Sequence, residues 1–202
     1  MCYTKQTSIN AFLIGSLLSI YIMKKDNKDL KIIGGFLLFV TFMQLFDAIF
    51  WEYPTGKINE ITTKIACIFN HLQPIILAFL IIKYKGYLSN NNFKLLFVYT
   101  LLVTAYTLAN WNLLNTTKVT EDSGMSLNWK WNHFDGSMLV YSLFLITLLS
   151  LMLSLSSPYN KIIFGITLVG FIFSYYKYQI QRSTGRFWCY FAAYSPAFFL
   201  LF

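Results

Sequence analysis

Apolar residues fall along this chain in seven long blocks, parted by short clusters of charged residues, Ser, Asn and Pro. The blocks occupy 8–23, 30–51, 61–82, 93–114, 136–155, 162–178 and 187–202. Lys24, Lys25, Asp26 and Lys28 stop the first, Glu52, Tyr53 and Pro54 close the second, and Ser156, Ser157 and Pro158 end the fifth. About 20 predominantly apolar residues suffice for a helix to cross a bilayer, whereas a strand needs roughly half that. The pattern therefore predicts an all-α fold, a transmembrane helical bundle of about seven spanning helices in a single domain over 1–202. The first and last blocks are short for a span and predict tilted or interfacial helices. Basic residues follow the first block rather than precede it, and no small-x-small cleavage site is present, which predicts a retained helix rather than a signal peptide. The longest polar stretch, 115–135, lies between the fourth and fifth blocks.

Composition removes the soluble alternatives. Charged residues make up 12% of the chain, against roughly 25% in soluble domains. With a mean hydropathy of +0.54 the chain cannot cover a water-exposed surface with polar groups. A disordered chain and a disulfide-dense secreted module are excluded on the same grounds. The net charge of +8 would suggest a nucleic-acid partner in a soluble protein. Here the lysines punctuate apolar blocks, where they snorkel to lipid headgroups, so the expected partner is the bilayer and no nucleic acid. The 16 Lys and Arg divide evenly between the two sides of a seven-span topology. The first four helices favour an outside N terminus. That orientation puts the polar stretch outside, with its Asn115-Thr116-Thr117 sequon available for glycosylation at Asn115.

Ionisable groups inside apolar blocks are expensive and mark function by default. Asp47 is the clearest. The run from Gln44 to Trp51 places Gln44, Asp47 and Trp51 on one helical face, where the acid could bind a cation, relay a proton or orient a histidine. His71 lies in the third block beside Asn70, Gln73 and Pro74. Pro74 lacks an N–H and frees the Asn70 carbonyl, and broken helices often line sites. Trp129, Trp131, His133 and Asp135 crowd the end of the polar stretch. They read as an aromatic belt with polar neighbours, or, more sharply, as a pocket mouth in which His133 and Asp135 join Asp47. Without a tight HxxxH or HxxE spacing no metal site is assigned, and no catalytic residue or cofactor either. The three Cys contain no CxxC. Cys2 and Cys189 fall at the same face in this topology and could form a disulfide if that face is oxidising, with two free thiols as the alternative. Cys67 reads as a small core residue.

Short motifs at both ends and in the second and third blocks resemble a little-characterised family of small multi-pass membrane proteins from bacteria and some large DNA viruses. They are Met1-Cys2-Tyr3-Thr4, Gln44-x-x-Asp47-x-x-x-Trp51, the polar segment at His71 and Pro74, and Trp188-Cys189-Tyr190-Phe191-Ala192-Ala193. Members of that family begin Met-Cys-Phe-Ser, carry Gln-x-x-Glu-x-x-x-Trp in helix two and end near Trp-Cys-Phe-Phe-Ala-Ala. Tyr3, Thr4 and Asp47 depart from that pattern, the last keeping the acid on a shorter side chain. The resemblance singles out residues without implying a chemistry.

Several seven-helix activities lack their residues. A retinal protein needs a Lys in its last helix, and 187–202 has none. Two His in the whole chain cannot build a three-His zinc site. Gly15-Ser16 lacks the context of a rhomboid nucleophile, and the loops are short for a signalling receptor. What remains is a non-enzymatic bundle with a polar intramembrane pocket for a lipid, ion or small molecule, drawing on Gln44, Asp47, Trp51, His71, Gln73, His133 and Asp135. The alternatives are a structural or assembly protein and, less favoured, an intramembrane enzyme using Asp47 or His71, or Cys189 as nucleophile.

Overall fold

A computed structural model describes residues 4–120, 126–178 and 184–202. Cys2 and Arg182 lie outside the described residues, as do the side chains of Lys118, Lys177 and Arg186. Seven helices follow one another: α1 (Lys5–Met23), α2 (Lys28–Glu52), α3 (Gly56–Lys85), α4 (Asn90–Ala109), α5 (Ser137–Met152), α6 (Tyr159–Tyr178) and α7 (Thr184–Tyr194). The all-α bundle is as the apolar blocks predict. Among the described residues, α1 to α4 are long and apolar enough to cross a membrane, and α5 is apolar but only 16 residues long. α7 stops after 11 residues, where a 3-10 turn over Ser195–Phe199 takes up Pro196. At about 1.5 Å per residue it is too short to cross alone.

Local chemistry sets most helix ends. Thr4, Asn27 and Ser89 cap the starts of α1, α2 and α4, each accepting backbone N–H groups of the first turn with its side-chain oxygen. Gly86 ends α3 in the left-handed conformation, φ +84°, which costs glycine nothing. α3 starts five residues before its apolar block, because the polar turn over Gly56–Glu60 continues the helix beyond the hydrocarbon.

α2 is the central helix, with α1, α3 and α7 packed around it. α1 buries Ser8, Ala11, Gly15, Ser19 and Ile22, a stripe of mostly small residues at three- and four-residue spacing. Small residues let helix backbones approach where no hydrophobic driving force acts between lipid and protein. A Cβ at Gly15 would collide with the Ala193 carbonyl of α7 and lie 2.6 Å from Thr41 Cγ2 of α2. One at Gly34 would lie 2.5 Å from Met23 Cγ. α1, α2 and α7 therefore meet around Gly15. α4 and α5 pair on the other side of α3, and α6 lies against α5 and α7.

Polar ties fasten both ends of the bundle. At the end carrying the α1–α2 and α3–α4 turns, Lys85 Nζ lies 2.7 Å from Asp29 Oδ1, with both side chains largely buried, and also donates to the Ser154 carbonyl. Asn92 holds Ser150 and Ser154 beside it. At the opposite end, Asn59 of α3 donates to the Tyr53 and Thr117 carbonyls and accepts the Thr117 N–H. Thr63 adds a hydroxyl contact to Thr117 at 3.0 Å. This lock docks the polar stretch onto α3. Beyond it the chain forms a short antiparallel ribbon of β1 (Lys118–Thr120) and β2 (Ser126–Asn128), which the hydropathy pattern does not foretell.

Candidate functional site

A directional hydrogen-bond chain runs through the middle of the bundle. Thr107 of α4 donates its only hydroxyl proton to the Val103 carbonyl, one turn back. Its oxygen therefore accepts from His71 Nδ1, 2.9 Å away. A neutral imidazole with its proton on Nδ1 presents Nε2 as an acceptor. Tyr141 of α5 lies 2.9 Å from Nε2 and fills that role as donor. The Tyr141 oxygen in turn accepts from Asn70 Nδ2 at 3.4 Å, and Asn70 Oδ1 accepts from Gln73 Nε2 at 3.3 Å. Each link orients the next, across α3, α4 and α5. Gln73 is fully enclosed and its Oε1 has no hydrogen-bond partner, so the chain begins on an open acceptor. Tyr99 of α4 donates to the His71 carbonyl at 2.7 Å, which ties the backbone beside Pro74 to α4.

Asp47 serves a different partner. Trp129 Nε1 donates to Asp47 Oδ1 at 3.1 Å, and both residues are enclosed. Trp129 stacks on Trp131 with ring centroids 5.1 Å apart, and Tyr106 donates to the Trp131 carbonyl at 2.6 Å. These two tryptophans do not form an interfacial belt. They are driven into the bundle end, where Asp47 gives one indole the acceptor it needs when buried. The residues that follow, Asn132 and His133, are thereby held beside a gap bordered by α5, α6, α7 and Asn70 of α3.

That gap is a cavity of about 470 Å³. Its lining mixes polar residues, among them Asn70, Tyr141, Ser142, Asn132 and His133, with the apolar Phe144, Leu145, Phe171 and Trp188, and α5 supplies both kinds. Met138 of α5 and Tyr175 of α6, both on the lining, are exposed. Cys189 lies buried in its lining beside Trp188.

The sequence candidates thus divide. His133 and Cys189 line the cavity, and His71 stands behind Tyr141, one hydrogen bond from it. Gln73 stands behind Asn70, likewise one hydrogen bond from the lining. Asp47 is absent from the lining and is joined to the site through Trp129 and the loop. Gln44 is enclosed one turn from Asp47, Trp51 packs half-buried against the core, and Asp135 is exposed. No group of three or more His, Cys, Asp or Glu able to hold a metal occurs among the described residues. Asn115 is exposed, its Oδ1 accepting from Lys130, whereas the sequon's Thr117 is buried in the Asn59 lock. Tyr141, Thr107 and Asn132 escape the sequence reading. The only sign of the first is that Ser137, Tyr141 and Ser142 put hydroxyls close together in the first two turns of a Leu-rich helix. No protein-family model, no curated protein and no solved structure matches the chain.

Proposed function

We propose that this chain is a membrane-embedded binding protein whose cavity between α3, α5, α6 and α7 takes an amphiphilic molecule, head against the Asn70–Tyr141 wall and tail along Phe171 and Leu145. The supporting observation is the mixed lining of that cavity, about 470 Å³ of space bordered by polar groups as well as by aromatic and aliphatic side chains, the composition expected of small-molecule sites. Tyr141 is fixed from behind by the His71–Thr107 pair and holds Asn70 beside it, so these two polar groups are set before a ligand arrives. Asp47 is a positioning residue here, since it anchors the loop that supplies Asn132 and His133.

The test fills the cavity. Ser142 stands on its lining and is exposed, so Ser142→Trp adds bulk with little effect on the bundle. A panel of fatty acids, fatty alcohols, monoacylglycerols and lysophospholipids is titrated against the purified chain, with thermal unfolding as readout. At least one class should raise the midpoint saturably in the native chain and leave S142W unmoved. A panel without any saturable shift, or one whose shift survives in S142W, removes the cavity as a binding site.

A further inference from the structure

Three turns meet at one end of the bundle, α1–α2, α3–α4 and α5–α6. Lys85 ties the second to Asp29 beside the first, and Asn27 Nδ2 donates to the Tyr159 hydroxyl at 3.3 Å, which joins the first to the third. These turns and the helix ends beside them carry eight Lys and two Asp, whereas the rest of the chain carries eight Lys and Arg against six Asp and Glu. Both Asp are taken. Asp26 lies 3.2 Å from Lys31 and Asp29 2.7 Å from Lys85, while Lys25 Nζ donates to the Leu200 carbonyl. That leaves Lys24, Lys28, Lys83, Lys94 and Lys161, all exposed, none with a carboxylate within 4 Å among the described residues. Tyr21 and Tyr87, each more than half exposed, flank the same turns, the placement of ring anchors at headgroup level. At the opposite end the described charges largely cancel. Lys5 pairs with Glu52 and Lys64 with Glu60, each at 2.7 Å, Lys130 is held by Asn115, and the exposed Lys57 and Asp135 are of opposite sign.

We propose that the end bearing these three turns is a docking face for the headgroups of anionic phospholipids, gathered by Lys24, Lys28, Lys83, Lys94 and Lys161. Basic residues spread evenly between the two ends, but the acids do not, so only this end keeps a field of one sign. A lysine beside the bilayer surface attracts anionic lipid, and the attraction fades within a Debye length. The five cations sit on three turns and on the first turns of the helices that follow, so each reaches a different boundary lipid rather than converging on one headgroup.

The full chain is reconstituted in phosphatidylcholine bilayers at low salt, with trace spin-labelled phosphatidylglycerol or, separately, spin-labelled phosphatidylcholine. The motionally restricted fraction of each spectrum gives the relative association of the two lipids with the protein surface. One lysine at the surface is worth roughly a factor of five, and boundary lipids that touch none of the five dilute it, so the mean preference for phosphatidylglycerol should be at least about twofold. It should largely disappear at about 1 M NaCl, where the Debye length is about 3 Å. Replacing all five lysines with Gln should bring it at least halfway to unity. The pairs K24Q/K28Q and K83Q/K94Q should each remove a part, and they decide the question if the fivefold variant does not fold. At the opposite end, K57Q/K130Q should remove less than half as much as K24Q/K28Q. Equal association of the two lipids with the native chain overturns the proposal. So does a preference that survives in both paired variants, or one that K57Q/K130Q reduces as much as they do.

Discussion

Asp47 and Trp129 are 82 residues apart in sequence and 3.1 Å apart in space. Replacing Asp47 with alanine removes the acceptor and leaves a buried indole N–H unsatisfied. A hydrogen bond to a charged group contributes about 1.5–3 kcal/mol in soluble proteins. Interhelical hydrogen bonds in membrane bundles average about 0.6 kcal/mol and reach about 1.7. Both side chains here are enclosed and the acceptor is a carboxyl, so the pair belongs near the top of the membrane range, about 1–1.7 kcal/mol. A double-mutant cycle over Asp47→Ala and Trp129→Phe isolates that figure, because the lost stacking on Trp131 cancels in the difference. Thermal unfolding in detergent gives the four stabilities. Asp47→Asn keeps a side-chain oxygen for Trp129 and should lose less than half of what Asp47→Ala loses. Amide hydrogen exchange over 126–134 supplies a second readout, because the loop should open faster in D47A. A coupling energy below about 0.3 kcal/mol, an Asn as damaging as an Ala, or unchanged exchange in the loop would each refute the tether.

Tyr141→Phe takes the donor from His71 and should cost about 1 kcal/mol in the same unfolding assay, with Thr107→Val adding less than its separate cost because the two act in one chain. Lys85→Met leaves Asp29 buried without its cation and should cost about 3 kcal/mol, of which the Asp29→Asn and Lys85→Met pair recovers a part. A single mutant no less stable than the double would show that the two charges do not support each other. Gly15→Val drives a side chain into the Ala193 carbonyl and should cost about 1–3 kcal/mol, whereas Gly165→Val, where a Cβ meets nothing, should be close to neutral. Asn59→Ala removes three contacts to the Tyr53 and Thr117 backbone and should speed exchange at Thr117 at least about tenfold.

The helices were legible because each is a block of apolar residues closed by Lys, Pro or a cap, and that information is local. Their ends were less so. α4 stops at Ala109 instead of running on to Leu114, where Asn110 turns its amide back onto the Tyr106 carbonyl and a 3-10 turn follows. α7 ends at Tyr194 because Ser195 and Pro196 cannot continue it. Within the site, Asp47 and His71 stood out as polar groups in apolar runs. Thr107 and Tyr141 did not, being far away in sequence and unremarkable in type, and Trp129 stood out without its pairing to Asp47. Tryptophans beside a predicted membrane boundary read as interfacial anchors. Only the packing of loop on bundle reveals that these two are interior.

The close meeting at Gly15 also bears on the order in which the molecule is made. α1 and α2 leave the ribosome before α7 does. Until then the small-residue face of α1 around Gly15 lacks the α7 backbone that closes over it. The cavity needs Trp188 and Cys189 for its far wall, so the nascent bundle has no such pocket during insertion. The lining is therefore complete only in copies in which α7 has docked.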